Sequence, residues 1–289
     1  MRLAEIERHV SSMQELQRIV GAMRAIASMR VQEAVRALAS VSEYGDALAQ
    51  GVREALAIAA QRRVAAGDPP RQHGGRQMMV VFMSEHGFVG GFNERLIAAT
   101  SAQIGAGEAL VIVGSRGAAL VAERRLAVIS THAMATRLAS VPEVVRRLQE
   151  ALYPDIAAAK IVRATVVFCR YRRTGSADIE THQLFPLEMP APRGRTRQVP
   201  LHDLSAAELL ERMTGEYILS QLTEAAIESL AAENGARFVA MEAAHDNVGK
   251  RLRALRLDAS RARQEEVTTE LLDLVTGERA VSNDQRGVS

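Results

Sequence analysis

The chain has 289 residues, 47% of them apolar and 24% charged, with a formal net charge of +2. That length admits one large domain or two smaller ones, and so small a net charge excludes binding driven by a general polyanion field. The single cysteine, Cys169, excludes an internal disulfide and any multi-cysteine metal site.

Aromatic residues make up only 3%, with no Trp, which suits a narrow helix–helix seam better than a thick globular core. No run approaches the ~18 apolar residues of a membrane span. The N-terminus lacks a signal-like apolar region and turns helical almost at once, so the expected location is the cytoplasm, with no export. All eight prolines lie between Pro69 and Pro200. Proline inside a helix costs about 3 kcal/mol, so both ends of the chain are free to form long helices. The expected organisation is an N-terminal coiled-coil helix over 1–66, a central α/β domain over 67–200, and a C-terminal coiled-coil helix over 201–289.

In the first segment Ile6, Met13, Val20, Ala27, Ala34 and Val41 recur seven apart, with Leu3, Val10, Leu16 and Met23 filling alternate positions. This heptad pattern predicts a left-handed coiled coil. One helix over 1–60 would span about 90 Å. Gly21, Gly45 and Gly51 weaken it locally and leave room for a break near Ser42–Gly45. Arg18, Arg24, Arg30 and Arg36 spiral round the surface, where a solvated face is the ordinary role for a single arginine.

The middle begins with a Gly- and Pro-rich linker, Gly67–Gly75. Strands are expected at Met78–Met83, Leu110–Val113, Ile161–Tyr171 and Ala177–Phe185, the last two forming a hairpin through Arg173–Ser176. Helices are expected over Glu94–Ile104, Ser115–Arg124 and Val141–Ala151. Strands alternating with helices indicate a Rossmann-like α/β layer with a mostly parallel sheet. Gly87, Gly90 and Gly91 follow the first strand, but their spacing is neither a dinucleotide fingerprint nor a P-loop, so they read as a tight strand-to-helix turn. The histidines show no metal-ligand spacing, and no nucleophile–base pair stands out. Cys169 reads as a small buried hydrophobe.

The C-terminal segment from Ala206 is rich in helix formers. Met241, Val248 and Leu255 fall seven apart, with Leu252 between the last two, giving a seam that needs a partner helix. Here the residues become specific. The run Glu228-Ser-Leu-Ala-Ala-Glu-Asn-Gly-Ala-Arg-Phe-Val-Ala-Met241 is followed by Ala244-His-Asp-Asn-Val-Gly249. Ser260-Arg-Ala-Arg-Gln-Glu-Glu-Val-Thr-Thr-Glu-Leu-Leu-Asp-Leu-Val-Thr-Gly277 completes it. This resembles the C-terminal helix of the γ subunits of F-type ATP synthases. Ala22-Met-Arg-Ala-Ile-Ala-Ser-Met-Arg30 is similar to that family's N-terminal helix, and Ser84-Glu-His-Gly-Phe-Val-Gly-Gly-Phe-Asn93 to its glycine-rich turn. The resemblance covers nearly the whole chain. Departures at Ala259-Ser260, Glu265, Glu278-Arg279, Gly235 and Val89 point to a divergent branch, such as the alternative F-type ATPases that some bacteria carry beside the main enzyme.

The resemblance implies a non-catalytic rotor shaft: an antiparallel coiled coil of the terminal helices with the α/β domain at its side. The implied partners are the α and β subunits of the catalytic hexamer, the ε subunit and the membrane c-ring, at the cytoplasmic face of a bacterial plasma membrane. It implies no cofactor and no small-molecule substrate for this chain. By position, Met23, Arg24, Arg30 and Arg237 match residues that meet the β levers, and Arg263, Gln264, Thr268 and Glu270 match those that meet the β catch loops. Two rivals stand beside this reading. One is an enzyme with a nucleotide-binding α/β domain, which would need a better phosphate loop than Gly87–Gly91. The other is a nucleic-acid-binding or scaffolding coiled coil using Lys250, Arg251, Arg253, Arg256, Arg261 and Arg263, which Asp258 and Glu265 interrupt and no aromatic residue accompanies.

Overall fold

The computed structural model describes residues 3–66, 75–105, 108–157, 160–172, 177–187 and 205–284, and side chains of the terminal helices as far as residues 56 and 272. Most of the expected linker, 67–74, and the expected turn Arg173–Ser176 lie outside these. The elements in chain order are α1 (Leu3–Ala66), β1 (Arg76–Phe82), α2 (Phe92–Gln103), β2 (Ala109–Val113), α3 (Ser115–Glu123), β3 (Val128–His132), α4 (Val141–Ala157), β4 (Ile161–Tyr171), β5 (Ala177–Phe185) and α5 (Ala206–Asp284). The five strands form one sheet in the order β3-β2-β1-β4-β5. All neighbours are parallel except β4 and β5, which pair antiparallel. Contacts group the chain into two compact units, Met1–Ala25 with Met241–Ser289, and Ile26–Ala240.

The first unit is a helix pair. Arg24 Nη1 lies 2.9 Å from Glu242 Oε2, a Cβ built on Gly249 would lie 3.6 Å from Gln17 Nε2, and Arg263 Nη2 lies 2.6 Å from Glu7 Oε1. As numbers fall on one helix they rise on the other, so the pair is antiparallel. Its seam buries Ile6 and Val20 from α1, and Met241, Leu252 and Ala259 from α5; Met13, Val248 and Leu255 are half-buried. The seven-residue repeat predicted from the sequence therefore faces inward, whereas Leu16, expected at an alternate position of the seam, is 40% exposed. Ala259, one of the departures from the family pattern, sits within the seam.

The second unit is the α/β domain with the adjoining stretches of α1 and α5. The strands alternate by necessity of their pleat, so one face of the sheet carries Met78, Val80 and Phe82 and the other Met79 and Val81. The first face packs with Val145 and Leu148 of α4, Leu222, Ala226, Leu230 and Ala231 of α5, and Ala34 of α1. The second packs with Leu96 and Ile97 of α2 and Val121 of α3. Helices on both faces explain why β1 and β2 read as continuous apolar runs.

Three expectations need correction. The break near Ser42–Gly45 does not occur, because α1 runs unbroken from Leu3 to Ala66. Gly45 is buried, and a Cβ there would lie 3.2 Å from Ser220 Oγ, so this glycine permits a close approach of α5 instead of ending a helix. Helix α4 runs on to Ala157 with Pro154 inside it, beyond the expected end at Ala151. The strand β3 was not expected at all; it is a five-residue, half-buried edge strand.

Candidate functional site

The carboxyl ends of β1 to β4 lie along one edge of the sheet, where doubly wound folds usually bind ligands. Here that edge is filled by the chain itself. The turn after β1 is pinned by two buried residues: Ser84 N donates to Asn93 Oδ1 at 3.1 Å, and Asn93 Nδ2 donates to Ser84 Oγ at 2.7 Å. Gly114, with φ of 128°, follows β2 where a Cβ would fall on the Met83 carbonyl.

Glu85 follows Ser84. Its Oε2 accepts from Ser115 N at 2.9 Å and from Met134 N at 2.7 Å, and its Oε1 accepts from Ser115 Oγ at 2.7 Å. Ser115 opens α3, so Glu85 supplies the negative charge favoured at a helix N-terminus. Burial pushes the Glu85 carboxyl up, but the hydrogen bonds from Ser115 and Met134 outweigh it and hold it below the ordinary range. The anion seat at the start of α3 thus holds the protein's own carboxylate.

From the other side comes α5. Residues 225–235 are buried without exception, and Arg237 is only 7% exposed. Glu233 Oε2 accepts from Glu85 N at 3.2 Å. Arg237 Nη2 pairs with Glu233 Oε1 at 2.6 Å, its Nη1 donates to Asn234 Oδ1 at 3.0 Å, and its Nε and Nη2 both reach Gly87 O at 3.3 Å. Glu228 Oε2 accepts from Tyr171 N at 3.1 Å, and its Oε1 lies 3.4 Å from Arg170 Nε. Burial, the largest influence, raises the Glu228 carboxyl above its ordinary value. At Gly235 a Cβ would come within 2.7 Å of the Tyr171 ring, so the ring lies against bare helix backbone.

The residues singled out from the sequence fall into different settings. Met23 is half-buried, and Arg24 forms its surface pair with Glu242. Arg30 is half-exposed and makes no ion pair among the described residues. Arg237 is turned inward to the network above. Arg263, Gln264, Thr268 and Glu270 are all exposed and lie on one half of the α5 surface, with Val267 and Leu271 exposed among them. Arg263 pairs with Glu7, and Thr268 Oγ1 donates to Gln264 O at 2.7 Å. The structure brings the Arg263–Glu270 set together on one surface; it places Met23 and Arg24 in the first unit, and Arg30 and Arg237 in the second. Glu85, Glu228 and Glu233 were missed. The spacing of Glu233 and Arg237, one helical turn apart, was a legible signal of an ion pair.

Against the enzyme rival stands the chemistry of a groove of ≈ 570 Å³ beside α4 and α5. Glu150, Glu208, Glu211 and Glu216 line it, and Arg212 is already paired with Glu208 at 2.9 Å. Such a lining repels a nucleotide phosphate.

A family model described as ATP synthase matches residues 2–281. The chain belongs to the ATP synthase gamma family. Relatives in that family include the ATP synthase gamma chain of Xanthomonas oryzae, 26% identical over 96% of this chain and 98% of its own length. That of Geobacter metallireducens is also 26% identical, over the same shares, and that of Chromobacterium violaceum is 27% identical. Among solved structures, the fold is similar to a chain of the Euglena gracilis mitochondrial ATP synthase in its OSCP/F1/c-ring assembly. The TM-score is 0.64 at 12% identity, covering 98% of this chain and 95% of that one. A chain of the same organism's rotor gives a TM-score of 0.61 at 14% identity, over 92% and 98%. The gamma family's fold, long terminal helices with a central sheet domain, is the one described above. No helix among the described residues is long and apolar enough to cross a membrane.

Proposed function

We propose that this gamma-family chain turns as the central shaft of an F-type ATP synthase. The observation that carries the reading is the antiparallel pairing of two helices of 64 and 79 residues, each uninterrupted, in a chain that the family model spans almost entirely. The chain is not itself catalytic; the chemistry belongs to the β subunits of the surrounding hexamer. Its partners are the α and β subunits, the ε subunit and the c-ring, and it lies at the cytoplasmic face of a bacterial plasma membrane as a peripheral component. Helices α1 and α5 form the shaft, and the elements from β1 to β5 the α/β domain.

A rotor changes the state of its neighbours only by binding their conformations with different free energies. An antiparallel helix pair suits this, because it is stiff and offers a different surface at each angle. Met23, Arg24 and Arg30 meet the β levers, where a guanidinium pairs well with carboxylates. Arg263, Gln264, Thr268 and Glu270 meet the catch loops. Arg263 is held by Glu7 in the free chain, so an acidic partner competes for it with an exposed pair worth little. Arg237, expected at the levers from the sequence, is left out of this contact set because it is buried against Glu233 and Gly87.

Affinity purification of the native complex through this chain tests the reading. Co-purification of α, β and c subunits in a particle that hydrolyses ATP is the expected result. Recovery of the chain alone, or with nucleic acid, overturns it.

A further inference from the structure

A helix running through a protein interior usually meets it with apolar side chains all round. Over residues 225–237, α5 instead carries Glu228, Glu233, Asn234 and Arg237 inward, each no more than 8% exposed. Unpaired, such groups would be costly, yet the three charged ones all reach backbone at the carboxyl edge of the parallel sheet. Glu228 takes Tyr171 N at the end of β4; Glu233 takes Glu85 N and Arg237 takes Gly87 O in the turn after β1. The Glu85 side chain extends the tie to Ser115, after β2, and to Met134, after β3. All four parallel strands are thereby bound, directly or through Glu85, to one stretch of one helix.

Apolar packing is non-directional and tolerates small rotations of a helix about its axis. Charge-assisted hydrogen bonds at fixed angular positions do not. We infer that Glu233 and Arg237 are positioning residues for rotary coupling: they lock α5 against turning within the sheet domain, so torque applied to that domain passes to the helix without slip. This rests on the shaft reading. The pair acts through the turn it holds and touches no reacting atom.

The test uses the assembled complex in inverted membrane vesicles. ATP hydrolysis and the membrane potential it builds are measured together with a potential-sensitive dye, per assembled complex. Arg237→Gln and Glu233→Gln are expected to keep hydrolysis within about twofold. The potential built per ATP hydrolysed should fall by about tenfold, the equilibrium weight of one charge-assisted hydrogen bond. Arg237→Lys, which keeps the charge but not the fork toward Gly87, should fall between these and the parent. An unchanged potential per ATP in the Gln variants overturns the inference. So does a fall of hydrolysis and potential by the same factor, the mark of a merely structural pair; if the Gln variants fail to assemble, the Arg237→Lys ratio decides alone. A complex lacking this chain that still builds a potential overturns the shaft reading itself. Loss of potential in that complex, with normal coupling in the Gln variants, overturns the lock alone.

Discussion

Glu85 is a single carboxylate that satisfies three donors on two separate segments. Replacing it by Ala leaves Ser115 N and Met134 N without their acceptor, and a cost of about 2 kcal/mol is expected in thermal or denaturant unfolding. Glu85→Gln keeps one oxygen for those two amides and should cost less. The Glu85 carboxyl is held below its ordinary 4.5, so its stabilisation is fully present above that value and is lost as pH falls through the lower folded value. Glu85→Ala should therefore flatten the acid limb of the stability curve. Glu228 has the opposite sign. Its carboxyl is raised above 4.5, so stability drops as pH climbs from 4.5 through the folded value. Glu228→Gln, which still accepts from Tyr171 N, should remove that drop, seen as a gain over the parent in melts run from about pH 4 to 8.

At the scale of elements, what the sequence disclosed depended on whether an element shows one face or several. The seam was legible because Ile6, Val20, Met241 and Leu252 repeat on one side of helices whose other sides are polar. Residues 225–237 were not legible as a buried segment. A seam pattern tests one face only, and the polar Glu228 and Glu233 give no sign of burial until the strand ends that receive them are known. Strand β3 escaped because five half-buried residues at a sheet edge give too short a pattern to stand out. Glycines are equally ambiguous in sequence, and space around them separates their roles. Gly21 has nothing within 4 Å of an added Cβ, so Gly21→Ala should stabilise α1 by roughly 0.5–1 kcal/mol. Gly114 combines φ of 128° with a backbone clash at Met83, so Gly114→Ala should destabilise by more than that gain. Thermal unfolding of the two variants side by side checks both signs.

For the whole molecule, the resemblance of motifs at both ends and in the turn made the family legible, and relatives near 26% identity agree with it over 96% of the chain. Which surface residues engage the ring was less legible, because a solvated arginine and a contact arginine share one pattern. Burial now divides them: Arg237 is committed inward, while Arg263 and Gln264 remain on the surface. Arg263→Ala with Gln264→Ala removes two exposed side chains and one exposed ion pair, so the folded chain should lose less than about 1 kcal/mol. Coupled ATP synthesis in the assembled complex should fall several-fold. Synthesis at the parent rate would place the contact elsewhere on the shaft.

The pairing of α1 with α5 also sets a schedule for the ribosome. Arg24 meets a residue 218 positions later in the chain, and Arg263 one 256 positions earlier. At roughly 5–20 residues per second, the apolar stripe of α1 waits on the order of tens of seconds for its mate. The sheet waits as well, since Leu222, Ala226 and Leu230 of α5 close one of its faces. Nascent chains of this protein therefore present the stripe of α1 uncovered for most of their synthesis and one sheet face from the completion of β4 until residues 222–230 emerge, which makes them natural clients for chaperones that shield hydrophobic segments until translation nears its end.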